Sequence, residues 1–126
     1  MFHDSRGPIE AFSWGAFTIA GQEHGEGGAG AGKDIRLVGT EVSAWEERHG
    51  HTLTPEMITG VYGRADTLII GSGVHGLVQC PEDVRAAVAA HGIADLRVLP
   101  TPEACGLYNQ LHREGCRVAL LVHGTC

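Results

Sequence analysis

The chain has 126 residues, 43% of them hydrophobic and 19% charged, with a formal net charge of -6 at pH 7. That is the length of one domain with enough apolar content for a core, which excludes a disordered chain. The acidic balance argues against nucleic acid as a partner, and no segment has the length and apolarity of a membrane-spanning helix.

Residues 1–10, MFHDSRGPIE, are polar, contain a Gly-Pro step and carry no apolar leader-like run. They are expected to form a loose N-terminal arm ahead of a single α/β domain over 11–126. Residues 11–19, AFSWGAFTI, are rich in aromatic and β-branched side chains and predict one strand, bulged at Gly15. A glycine loop follows at 25–32. DIRLV at 34–38 alternates polar and apolar and predicts a strand, with 41–45 pairing back after a turn at Gly39. Phe12, Trp14, Phe17 and Trp45 are expected to be core between this N-terminal region and the main sheet.

The second half changes character. Thr54-Pro55-Glu56, Cys80-Pro81-Glu82 and Thr101-Pro102-Glu103 are three helix-start signals. Proline at the first helical position loses no hydrogen bond, glutamate in the first turn complements the dipole, and threonine is a good N-cap. Helices are therefore predicted near 55, 81 and 102. The second carries Val84, Ala87, Val88 and His91 on one face with Gly92 as its stop. The third carries Ala104, Leu107, Tyr108 and Leu111 and stops near Gly115. Short apolar runs at 67–70, 96–99 and 117–122 predict strands between them, two of them short and continuous as buried strands tend to be. Strands separated by helices require crossovers, and so a partly parallel sheet.

Two stretches imitate phosphate-binding loops. TLIIGSGVHG at 67–76 spells a hydrophobic run entering G-x-G-x-x-G. A dinucleotide turn works because a helix begins inside the glycines and its free N–H groups face the pyrophosphate. Here the helix signal, Pro81, comes several residues too late. GEGGAGAGKD has P-loop spacing to Lys33, but Asp34 stands where Ser or Thr is needed, and a strand follows instead of a helix. Both are read as glycine-rich connections, and no cofactor is expected.

The pieces KDIRL, SAWEERHGH, TLIIGSGVHG, HGIADLRVLPTPEACGLYNQL and EGCRVALLVHGTC together resemble a family of small α/β domains of unknown function. Its eukaryotic relatives include mitochondrial complex I assembly factor 3 and the adipogenesis-associated domain protein. The resemblance covers about residues 12–126. It implies an α/β three-layer domain, with a central mixed, partly parallel sheet flanked by helices and an N-terminal β-hairpin layer. It also implies assembly or regulatory roles. Relatives often carry Trp-Arg near Trp45, where this chain has Glu46 and Glu47 before Arg48.

Ligands of open α/β sheets favour the carboxyl ends of parallel strands. That rule assembles a candidate binding pocket from Gly71, Ser72, Gly73, Thr101, Cys105, Tyr108 and Asn109. Cys105 or Ser72 would be its nucleophile and His75 its base. The structural alternative is favoured: Thr101 caps a helix, Cys105 is a small buried hydrophobe, and Tyr108 and Asn109 pack and hydrogen-bond. Cys80, Cys105, Cys116 and Cys126 form no C-x-x-C pair and read as reduced thiols of a cytoplasmic protein. His123 and Cys126 could join a partner in space to hold a metal, though solvated or core histidines are the default. The leading reading is a non-enzymatic binding or assembly module with an unidentified protein partner. A small enzyme and a His/Cys metal protein are the alternatives. Oligomeric state leaves no mark on the pattern.

Overall fold

Four short strands open the chain: Phe2–His3 (β1), Ile9–Ser13 (β2), Ala16–Ile19 (β3) and Gln22–Gly25 (β4). In the computed structural model, which describes all 126 residues, they form an antiparallel sheet in the order β1-β2-β3-β4. The segment expected to be one bulged strand is therefore a hairpin. Ser13 pairs with Ala16, so Trp14 and Gly15 form a two-residue turn. Gly15 takes φ +69° there, in the left-handed region that such turns require and glycine supplies cheaply.

Residues 1–10 are not a loose arm. Phe2 pairs with Phe12 and His3 with Ala11, and Ile9 is fully buried. Asn109 grips the main chain of Ile9 from both sides: its Oδ1 accepts from Ile9 N–H at 2.9 Å and its Nδ2 donates to Ile9 O at 2.7 Å. Arg113 donates to Asp4 Oδ2 and to Gly7 O. Of the polar residues that give this segment a solvated look in sequence, Asp4 is the one whose side chain fastens it to α2.

The second sheet contains Asp34–Val38 (β5), Glu41–Ala44 (β6), Thr67–Gly71 (β7), Asp95–Leu99 (β8) and Val118–His123 (β9), in the order β6-β5-β9-β7-β8. β7 runs parallel to β8 and β9, while β5 is antiparallel to β6 and β9. Helices Glu82–Ala90 (α1) and Thr101–Arg113 (α2) supply the crossovers.

Strand alternation sorts the apolar residues onto two faces of this sheet. Leu68, Ile70, Ala119 and Leu121 face Val84 and Val88 of α1 and the 3₁₀ segment Pro55–Val61. Ile35, Leu37, Ile69, Leu120 and Val122 face Ala104, Cys105 and Tyr108 of α2 and Phe12, Phe17 and Ile19 of the first sheet. The result is the expected α/β architecture, a central mixed sheet between a helical layer and a layer that combines α2 with the N-terminal strands.

Three local expectations are corrected. The first helix signal yields only a 3₁₀ segment, because Ile58, Thr59 and Gly60 interrupt a short run with poor helix formers. No threonine caps a helix: neither Thr54 nor Thr101 makes a side-chain capping bond, and Pro100 flanks α2. Of the aromatic cluster, only Phe12 and Phe17 lie between the two sheets. Trp45 is buried on the opposite face, donating from Nε1 to Met57 O at 2.8 Å, and Trp14 at the hairpin tip is 49% exposed.

Candidate functional site

β7, β8 and β9 are in parallel register and end at one edge, where Gly71 lies level with Leu99 and Val122. The loop after β7 carries the G-x-G-x-x-G motif, and α1 does not begin until Glu82. The amides that would cradle a phosphate are already committed. Gly73 N–H donates to Thr101 Oγ1, Val74 N–H to Thr125 O, and both His75 and Leu77 N–H to Cys126 O. The first two glycines serve packing: a Cβ at Gly71 would run into Val122, and one at Gly73 into the Cys126 backbone. The motif is a seat for the C-terminal segment. The P-loop lookalike is likewise a 3₁₀ turn at Glu26–Gly28 followed by β5.

The residues assigned to a pocket at this edge do lie near one another, as fastenings. Thr101 is fully buried; its hydroxyl donates to His123 O at 2.7 Å and accepts from Gly73 N–H at 2.9 Å. One side chain thus ties α2 to the ends of β7 and β9. Ser72 donates to Leu99 O at 3.1 Å, and Tyr108 Oη donates to Gly39 O at 2.7 Å. Asn109 anchors the N-terminal segment. Cys105 is 0% exposed, and burial pushes its thiol far up from the ordinary value. With Ser72 donating to a carbonyl and Cys105 sealed, neither is presented as a nucleophile. His75 is exposed and lies against Trp14, ring centroids 5.9 Å apart.

The accessible chemistry sits beside this edge, where the end of β9 and the residues after it meet the loop that carries His51. His51, His123 and Cys126 bring one ligand atom each within 4.8 Å of one another. His51 Nε2 is 3.2 Å and His123 Nε2 is 3.7 Å from Cys126 Sγ. His123 Nδ1 is 2.6 Å from Asp34 Oδ1, whose carboxylate also meets Arg48 at 3.2 Å and Lys33 at 3.3 Å. Arg48, which follows Glu46 and Glu47, thus holds Asp34 in place. His123 and Cys126 were legible as candidates; His51 and Asp34, which complete the cluster, were not. Nothing in local spacing marks them, since Asp34 and His123 are 89 positions apart.

A cleft of about 600 Å³ opens on the N-terminal sheet, lined by Phe2, Ala11, Trp14, Ala16, Thr18 and Glu26 among others. His24 also lines it. Its Nδ1 accepts from Ala31 N–H at 2.8 Å, which places the ring proton on Nε2, and that nitrogen has no protein partner. Burial lowers the His24 pKa, which favours the neutral ring. Trp14 belongs to both regions, because Gly15 N–H donates to Gly124 O at 2.7 Å and so pins the hairpin tip beside the C-terminal segment. Leu77, 51% exposed, is attached to the same segment through Cys126 O.

A family model described as a protein of unknown function (DUF498/DUF598) matches residues 9–123. Among solved structures, the chain is similar to a conserved hypothetical protein from Pyrococcus horikoshii OT3. That match is 22% identical with a TM-score of 0.75 and covers 94% of this chain and 98% of that one. An outer membrane protein from Bartonella henselae is 24% identical, with a TM-score of 0.76 over 94% and 95% of the two chains. A protein designated MT938 is 26% identical, with a TM-score of 0.73 over 94% and 97%. No helix of the present chain is long and apolar enough to cross a membrane.

Proposed function

We propose, as the chain belongs to the DUF498/DUF598 family of proteins of unknown function, that it works as a non-enzymatic binding or assembly module in the cytoplasm. Its docking surface is the cleft of the N-terminal sheet together with the exposed hairpin tip. The observation that carries this reading is Trp14, held half-exposed on a two-residue turn at the cleft rim. A large rigid aromatic fixed at such a rim is a typical anchor for a partner protein. Glu23 and Glu26 flank the cleft, so the matching segment carries an apolar side chain with basic neighbours. The resemblance to complex I assembly factor 3 and the adipogenesis-associated domain protein supports the same class of role.

The test compares tagged wild type, Trp14→Asp and Arg85→Asp purified from source cells, with melting temperature as the fold control. Arg85 lies exposed on α1, in the opposite layer. A stoichiometric protein partner should accompany wild type and Arg85→Asp and be lost from Trp14→Asp. Retention of that partner by Trp14→Asp would remove the cleft from consideration.

A further inference from the structure

We propose that His51, His123 and Cys126 form a binding site for a divalent ion of the zinc class, with Asp34 as the positioning residue behind His123. Zinc bonds near 2.0–2.1 Å to nitrogen and 2.3 Å to sulfur at tetrahedral angles imply N···S separations of about 3.5 Å. The two such separations here are 3.2 and 3.7 Å. These two separations therefore lie close to those a bound ion would impose, and all three ligand atoms lie within 4.8 Å of one another.

The proton arrangement fits as well. The Asp34 carboxylate takes the Nδ1–H of His123, which leaves Nε2 with its lone pair directed to the cluster. A carboxylate behind a histidine ligand fixes tautomer and ring orientation and raises ligand basicity. Thr125 Oγ1, 3.2 Å from the same nitrogen, has to turn its hydroxyl aside as the ion enters.

The three ligands are pre-positioned by unrelated parts of the chain. His123 ends β9. Cys126 is held through its carbonyl by the amides of His75 and Leu77, and the loop bearing His51 is zipped to Gln79, whose N–H donates to His51 O at 2.7 Å. A nucleophilic reading of the Cys126-His123-Asp34 row fits less well. It leaves the second imidazole unexplained, and the nearby amides at 74, 75 and 77 are already bonded to carbonyls instead of being free for an oxyanion. His51 is exposed and Cys126 half-buried, so the fourth position faces solvent. That is the arrangement of an ion that binds water or an incoming ligand, or is passed on, and not of a closed structural site.

The experiment titrates the reduced, chelator-treated full chain with Co²⁺ and then Zn²⁺. The expected result is one Co²⁺ per chain with a near-ultraviolet thiolate-to-cobalt absorption, displaced by Zn²⁺. Cys126→Ser should abolish that absorption. His51→Asn, a change at an exposed residue that leaves the melting temperature of the metal-free chain unaltered, should weaken Zn²⁺ binding at least about tenfold. Asp34→Asn should keep the absorption, shift the visible cobalt bands and weaken binding by about 10–100-fold. The proposal fails if the absorption survives Cys126→Ser, or if His51→Asn binds Zn²⁺ as tightly as wild type. It also fails if no Co²⁺ is taken up while Cys126 is alkylated faster than Cys116, which would point to thiol–imidazole chemistry instead.

Discussion

Asp34 and His123 face each other across the first rung of the β5–β9 ladder, with Oδ1 and Nδ1 2.6 Å apart. Burial alone would raise the Asp34 pKa. The His123 hydrogen bond and the charges of Arg48 and Lys33 outweigh it and hold the carboxyl well below the usual range. A carboxyl depressed in the folded state adds stability that is complete above its unfolded pKa, about 3.9, and is lost as pH falls below it. Asp34→Asn removes that contribution and strips Arg48 of its ion pair. Urea unfolding should show the variant less stable by about 1–3 kcal/mol near neutral pH, with a shallower loss between about pH 5 and pH 3. Asp4, drawn down to about 2 by its hydrogen bond to Arg113, begins to lose its own stabilising contribution in the same window. The difference between the two proteins therefore carries the assignment, and parallel pH profiles would clear Asp34 of this role.

Thr101→Val keeps side-chain volume but removes the hydroxyl that serves Gly73 N–H and His123 O. Both groups lie in the buried junction of α2, β7 and β9, so the expected cost is about 1–3 kcal/mol for each group left unpaired. Thr101→Ser, which retains the hydroxyl, should recover most of the loss. Chemical denaturation of the two variants side by side decides the point; a Val variant as stable as the Ser variant would mean the hydroxyl is dispensable.

Gly73 and Gly76 share a motif but not a role. Gly73 has φ +102° and no room for a Cβ against the Cys126 backbone, whereas Gly76 has φ +68° and only Ser72 Oγ at 3.6 Å. Gly73→Ala should fail to accumulate as soluble folded protein. Gly76→Ala should remain folded, at a cost of roughly 1–2 kcal/mol for the left-handed conformation. Because the amides of this loop are committed to protein carbonyls and to Thr101, millimolar NAD or ATP should leave the wild-type melting temperature unchanged. A clear upward shift would restore the nucleotide reading.

Cys105 is fully buried with its thiol pushed up, Cys116 is exposed, and Cys126 is half-buried. Brief iodoacetamide treatment of the native chain, followed by mass spectrometry, should modify Cys116 and Cys126 and spare Cys105, with Cys105 labelling only in denaturant. Early labelling of Cys105 would show that the helix α2 side opens in solution.

Asn109→Ala should free the N-terminal segment, because Asn109 alone satisfies both main-chain groups of Ile9 and also donates to Asp4. A loss of about 1–3 kcal/mol is expected, together with rapid tryptic cleavage after Arg6. Resistance at Arg6 in the variant would mean that the β1–β2 pairing suffices.

The secondary structure of the second half is legible because each helix and strand there is announced locally. Proline, glutamate and glycine mark the helix ends, and continuous apolar runs mark β7 and β9, the strands buried on both faces, while β8 is a half-buried edge strand. The aromatic stretch 11–19 is ambiguous for a physical reason: a glycine between two β-favouring runs suits a bulge or a two-residue turn equally, and only pairing of β2 with β3 chooses. The first ten residues look solvated because their anchors, Asn109 and Arg113, lie about a hundred positions away. The site divides the same way. His123 and Cys126 sit close enough in sequence to be noticed together. Asp34 and His51 come to them only through the β5–β9 register and the bridge of the His51 loop to Gln79. The sequence by itself determined the alternation of helices and strands and the partly parallel sheet it requires, since those follow from periodicity and end signals within each segment. The tertiary structure alone decided what the glycine motif holds, where Trp14 points and which four side chains converge, because those depend on distances between segments that no local pattern encodes.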